Sequence, residues 1–173
     1  MTRHYEGVLG VFDYDDTIYE VTNLKNRDLD GCFDDRKDVE FLRYIGNNDE
    51  CITPEECKSI KLPKGCINTR YMFCQAEFSQ GIFLENFDTS EVEDMTCMFF
   101  DSCIRYGNKV VLGDKFDTRK VKNMRGMLAR VVTYPWIDAS VSIGSNFSTD
   151  NVLNKDYMFW HSSILPEMVI KDK

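Results

Sequence analysis

Apolar residues recur along this chain at fixed offsets, and the offsets repeat. FDTSEVEDMTCMF (87–99) aligns with FDTRKVKNMRGML (116–128), matching Phe87/Phe116, Asp88/Asp117, Thr89/Thr118, Val92/Val121, Met95/Met124 and Met98/Met127. A third copy, FSTDNVLNKDYMF (147–159), keeps Phe147, Val152, Met158 and Phe159 and carries Lys155 where the others have the middle Met. A degenerate copy ends at Met72-Phe73, so the late anchors Met72, Met98, Met127 and Met158 lie 26, 29 and 31 residues apart. Agreement at six of thirteen positions, repeated in phase, marks an internal repeat. Val92, Met95 and Met98, three residues apart, predict one face of a short helix or 3₁₀ segment. Ser90 with Glu93 forms a candidate capping box before it. Between these segments lie β-prone stretches at 82–84, 110–112, 141–143 and 168–170. A strand, a turn and a short helix per unit, stacked side by side, predict an α/β (α+β) solenoid of about four units over residues 60–173, with one small parallel sheet.

Residues 1–59 pattern differently. HYEGVLGVF, a turn at DYDD and TIYEVT read as a hairpin over His4 to Tyr19, and FLRYIG (41–46) as a third strand. Thr53 as cap and Pro54 at the first position open a short helix in TPEEC. This segment is expected to form an acidic β-hairpin or β-meander cap over the first repeat. It carries the chain's whole charge imbalance: 7 Lys/Arg against 15 Asp/Glu in residues 1–60, and 14 of each afterwards, for a net charge of −8. Such a field favours basic partners and repels phosphate backbones.

The repeat strings FDTSEVEDMTCMFFDSCI, FDTRKVKNMRGMLAR and NFSTDNVLNKDYMFWHSSI resemble the BspA-like branch of leucine-rich repeats. That resemblance implies a leucine-rich-repeat-like array with parallel strands and short helices or 3₁₀ turns. It also implies a family associated mainly with bacterial surface proteins, adhesion and protein contacts.

Candidate chemistry changes the picture little. VFDYDDTI (11–18) resembles the first motif of haloacid-dehalogenase-type phosphatases, which would make Asp13 a nucleophile and Asp15 an acid/base with Mg²⁺ between them. VVLGDKFD (110–117) imitates the later acidic motif, but Asp117 is already explained by its repeat partner Asp88. The acid-rich loops at 13–16 and 28–38 lack the spacing of a twelve-residue calcium loop. Seven cysteines, an odd number with no C-x-x-C pair, predict reduced thiols rather than a disulfide framework or zinc site. Glycines 7, 10, 107, 113, 126 and 144 form no phosphate loop and read as turn residues. The N-terminus turns acidic where an export signal should show a cleavage site, and no apolar run is long enough for a membrane span. The expectation is a cytoplasmic protein with no cofactor, no metal and no catalytic residues.

Two features of the repeats bear on partners. Glu91 and Glu93 correspond to Lys120 and Lys122 one unit later, so stacking would set opposite charges side by side; that reading is favoured over a nucleic-acid-binding stripe of Lys115, Arg119, Lys120, Lys122, Arg125 and Arg130. Aromatics concentrate near the end of the array, and Trp160 follows the Met-Phe anchor at the position held by Phe100 and Cys74 in earlier units. The expected partner-binding residues are Asp13, Asp15, Asp16, Asp28, Asp30, Asp34, Asp35, Asp38, Trp136 and Trp160. The function they suggest is a non-catalytic protein-binding inhibitor or adaptor. One form of it is a phage- or mobile-element-encoded anti-CRISPR-type protein whose carboxylates block a basic nucleic-acid-binding protein or nuclease. A surface adhesion module and a magnesium phosphatase are the alternatives. Homodimerisation through the open final repeat is a further expectation, with no direct nucleic-acid or membrane contact.

Overall fold

The computed structural model describes residues 10–14, 17–24, 39–44, 51–62, 65–134 and 136–169; before residue 51 only Tyr44 has a described side chain. It is a small α+β structure with parallel strands in two sheets and a few short helices. At the N-terminal end β1 (Gly10–Tyr14), β2 (Thr17–Leu24) and β3 (Val39–Tyr44) pair antiparallel in the order β1-β2-β3. Gly10, read from sequence as a turn residue, is the first residue of β1.

The repeats lie beside one another in register. β5 (Gly81–Phe83), β7 (Lys109–Leu112) and β9 (Ser140–Ile143) form one parallel sheet, at the stretches the sequence marks as β-prone. A second parallel sheet, which the single strand per unit did not anticipate, joins β4 (Glu77–Phe78), β6 (Cys103–Ile104) and β8 (Val132–Thr133). Phe87, Phe116 and Phe147 stack from unit to unit at 6.3 Å between successive ring centroids. Met72, Val92, Met95, Met98, Val121, Met124 and Met127 are all fully buried. No unit could hide these side chains alone, and each such burial is worth about 1.5–3 kcal/mol.

The Met-x-x-Met segments are not helices, which corrects the expectation from their three-residue spacing. Each is a run of turns in which alternate amides leave the segment. The amides of Met98, Phe100 and Ser102 close turns onto the carbonyls of Met95, Cys97 and Phe99. Those of Met95, Cys97, Phe99 and Asp101 instead donate to Asn123, Arg125, Met127 and Ala129 in the next unit. A helix would need every amide for itself; here half of them tie the units together. Left-handed backbone recurs every four residues to make this possible, at Tyr71/Gln75, Cys97/Asp101, Gly126/Arg130 and Tyr157/His161. The Ser90–Glu93 capping box is likewise absent. The Ser90 amide donates to Asp88 Oδ1 at 3.0 Å, and the Glu93 amide donates to the Ile67 carbonyl at 2.8 Å.

Each unit also carries an Asx turn that primes the run. The side-chain oxygens of Asn68, Asp94, Asn123 and Asn154 accept the amide two residues on, at 2.8–3.1 Å, and the same four residues form parallel bridges to one another.

Both outer edges of the β5-β7-β9 sheet are covered. α1 (Pro54–Ser59), N-capped by the Thr53 side chain as its sequence predicts, packs against β5. At the far end Met168-Val169-Ile170, expected as a strand, begins in a short helix instead. α2 (Pro166–Val169) packs against β9, and Ile170 lies outside the described residues. The Tyr44 amide donates to the Met72 carbonyl at 3.0 Å and the Ile52 amide to the Glu77 carbonyl at 2.7 Å, so the chain before residue 60 already shares the hydrogen bonding of the repeats.

Cys57 sits at the β5 edge, where the Phe83 amide donates to its sulfur at 3.1 Å. Burial lifts its thiol from 9.0 to about 12, with that amide pulling the other way. The folded protein therefore keeps this proton after the unfolded chain has lost it, and stability must fall as pH rises past 9.0. Between pH ~9 and ~11 this group should remove on the order of 2–3 kcal/mol. Urea unfolding of wild type and Cys57→Ala across that range checks it. Parallel pH slopes for the two proteins would show that Cys57 contributes nothing.

Candidate binding groove

The left-handed turn position and the position three residues after it form two columns on the surface of the array. The first column runs Tyr71, Cys97, Gly126, Tyr157; the second runs Cys74, Phe100, Ala129, Trp160. In the first column rings stand at both ends with Cys97 and Gly126 between them; in the second, Ala129 lies between Phe100 and Trp160. The space they leave is a cavity of about 400 Å³, floored by Cys97, Gly126 and Ala129 and walled by Tyr71, Phe100, Tyr157 and Trp160. Tyr157 and Trp160 remain 65% and 48% exposed, far more than an apolar core would leave them.

One guanidinium lines this groove and a second lies over one of its rings. Arg125, on its lining, lies over the Tyr157 ring at 6.0 Å, and Arg70 over the Tyr71 ring at 5.9 Å. Neither makes an ion pair among the described residues. The neighbouring cations are already committed: Arg130 to Asp101 at 2.9 Å, Lys120 to Glu91 at 2.7 Å and Arg119 to Asp117 at 2.6 Å. Glu91–Lys120 is the inter-unit pair the aligned charges predict, and the Lys122 amide donates to the Glu93 carbonyl. Burial raises the Cys97 thiol above its ordinary range, while a hydrogen bond with Tyr71 and the charges of Arg125 and Arg70 pull it back.

The structure separates the two tryptophans marked from sequence. Trp160 walls the groove and packs edge-on against His161 at 4.5 Å; Trp136, 72% exposed, packs edge-on against Tyr134 at 4.5 Å and does not line it. Tyr71, Phe100, Arg125 and Tyr157 are not among the partner-binding residues expected from sequence, where Arg125 enters only through the basic stripe set aside there. Aligning every column of the repeat, beyond its Phe, Val and Met positions, would have exposed them. Asp15, Asp16, Asp28, Asp30, Asp34, Asp35 and Asp38 lie outside the described residues, and Asp13 is described only as a backbone position in β1.

The phosphatase-like strings do not sit on neighbouring parallel strands. Asp13 belongs to β1, whose partner β2 runs antiparallel to it, and VVLGDKFD begins within β7, in a separate sheet. Asp114 is engaged by the Ser145 amide and hydroxyl, and Asp117 by Arg119; these hydrogen bonds hold both carboxylates below their ordinary range. Among the described residues no helix is long and apolar enough to cross a membrane.

These features define a class: a repeat protein whose units share a backbone hydrogen-bond network and leave an aromatic groove on the surface. The chain belongs to the family described as Mycoplasma protein of unknown function, DUF285, whose model matches residues 67–170. No curated protein and no solved structure matches the chain.

Proposed function

We propose that this is a non-catalytic protein-binding module, a short BspA-like solenoid with an N-terminal β-meander cap, acting in the cytoplasm as an inhibitor or adaptor. The observation that carries the reading is the groove. Exposed rings of this size are costly to leave in water and are typical of contact hot spots. Surface adhesion is the alternative that the BspA-like resemblance suggests. The anti-CRISPR-type version rests on the acidity of residues 1–60 and concerns a different surface.

A photo-crosslinking phenylalanine derivative tests the reading when placed at Tyr157, with Glu55 on the exposed side of α1 as the control site. In host lysate, the Tyr157 position should yield a discrete protein adduct that the Glu55 position does not. The adduct should vanish when Ala129→Phe fills the groove. Equal labelling from both sites, or an adduct indifferent to Ala129→Phe, refutes it.

A further inference from the structure

We propose that the groove accepts an aromatic side chain from a partner protein segment whose flanking residues are acidic. This deepens the protein-binding reading and rests on it.

The shape argument starts from the array's own ladders. Where every unit carries a ring, as at Phe87, Phe116 and Phe147, the rings stack at 6.3 Å with interplanar angles of 28° and 18°. In the column Phe100, Ala129, Trp160 the middle ring is missing, so Phe100 and Trp160 line a groove with a ringless unit between them, and Arg130 lies over the Phe100 ring at 5.9 Å. An incoming ring above Ala129 would complete a ladder that the repeat already builds elsewhere, and offset stacking of that kind adds to area burial.

The backbone excludes the commonest alternative, addition of a strand. At the groove floor the Cys97 amide donates to the Arg125 carbonyl, the Gly126 amide to Asp156 and the Phe99 amide to Met127. These amides and carbonyls are spent between units, so the occupant must be recognised through side chains.

Charge then sets the occupant's flanks. Among the described residues Arg70 and Arg125 are held over tyrosine rings without an ion-pair partner, and Arg70 Nε is buried with no hydrogen-bond acceptor. The carboxylates nearby do not neutralise them. Asp94 Oδ1 accepts from the Thr96 amide and hydroxyl, Asp101 is paired with Arg130, and Asp156 follows Arg125 by one unit without forming an ion pair. Two guanidiniums without an ion pair among the described residues, one on the lining and one over the Tyr71 ring, call for carboxylates next to the inserted ring. A single-stranded nucleic acid also offers rings and negative charge. It is disfavoured because the repeats hold 14 Lys/Arg against 14 Asp/Glu after residue 60, with no excess of cations to track a phosphate backbone.

The test uses the full chain and a fluorescein-labelled peptide, Glu-Glu-Trp-Glu-Glu, read by anisotropy at low salt. Binding should be saturable and should protect Cys97 from N-ethylmaleimide, as followed by mass spectrometry. Ala129→Phe copies Phe100, and Gly126→Tyr copies Tyr71 and Tyr157, which already tolerate the same left-handed backbone. Either should weaken binding about 30-fold with the unfolding transition retained. Arg125→Glu should weaken it about tenfold and narrow the preference over the Lys-Lys-Trp-Lys-Lys peptide. The proposal fails if the acidic peptide does not saturate, if the lysine peptide binds the wild type equally well, or if Arg125→Glu and the folded groove-filling variants bind normally. Displacement of the peptide by a ten-nucleotide thymidine strand that itself binds more tightly also overturns it. Crosslinked adducts at Tyr157 without peptide binding would leave the protein-binding reading standing and remove only this one.

Discussion

Alanine at Phe116 is expected to lower the unfolding free energy by about 3–5 kcal/mol, the largest loss from any single truncation in the stacked phenylalanine column. The ring is fully buried, with Phe87 on one side and Phe147 on the other, each at 6.3 Å. Phe87 in turn meets the tilted ring of Phe73 at 6.0 Å, which stacks on its own repeat partner Phe99 at 5.3 Å. The cavity cannot close by collapse, because inter-unit hydrogen bonds fix the backbone on both sides. The Thr89 amide donates to the Lys115 carbonyl at 3.0 Å, and the Thr118 amide to the Asn146 carbonyl at 3.2 Å. A domain of ordinary stability has about 5–15 kcal/mol to lose, so the variant should unfold at markedly lower urea. Phe147→Ala should cost less, since that ring ends the column and is only partly buried. Equal costs at the two positions, or a Phe116→Ala loss below about 1 kcal/mol, would show that the column does not hold the units together.

Side-chain direction was far more legible in the sequence than backbone conformation. The Phe, Val and Met positions that recur from unit to unit are the ones the structure buries, only partly so at Phe147 and Phe159 in the last unit, where Lys155, which replaces a middle Met, lies exposed. The three-residue spacing of Val92, Met95 and Met98 nonetheless suits a 3₁₀ turn and this ribbon of turns equally well. What separates the two is left-handed backbone at Tyr71, Cys97 and Tyr157, and side chains of those types do not announce it; only Gly126 does. The two-residue strands β4, β6 and β8 are too short for composition to mark them. Met168 and Val169 are β-prone residues, but Pro166 opens a helical turn there, and that turn lies against the edge of β9. Glu91–Lys120 could be read because the charge alternates between aligned units, and Asp101–Arg130 follows the same rule at another column. The groove was only partly visible. It is made as much by small residues as by large ones, and a search for conspicuous aromatics finds Trp160 but not the gap beside it.

A side chain at Gly144 should destabilise the protein through the closeness of successive turns. A Cβ there would lie 2.4 Å from the Gly113 carbonyl carbon and 2.5 Å from the Asp114 amide nitrogen, both backbone atoms that cannot rotate away. The preceding turn is packed the same way, since a Cβ on Gly113 would meet the Glu85 Cα at 2.8 Å. Neither glycine has left-handed backbone, so space rather than conformation is the requirement. Opening the junction is resisted by Asp114 Oδ1, which accepts from the Ser145 amide at 2.7 Å and from its hydroxyl at 2.9 Å across the same pair of turns. Gly144→Ala should therefore cost about 1–3 kcal/mol, and Gly144→Val more. The clamp makes a sharper prediction. Once Asp114→Ala has released the junction, the turns can separate to admit the methyl group, so the double variant should lose less than the sum of the two single losses, by about 0.5–1 kcal/mol. Additivity within about 0.3 kcal/mol in urea unfolding would mean that the turns yield independently of the clamp.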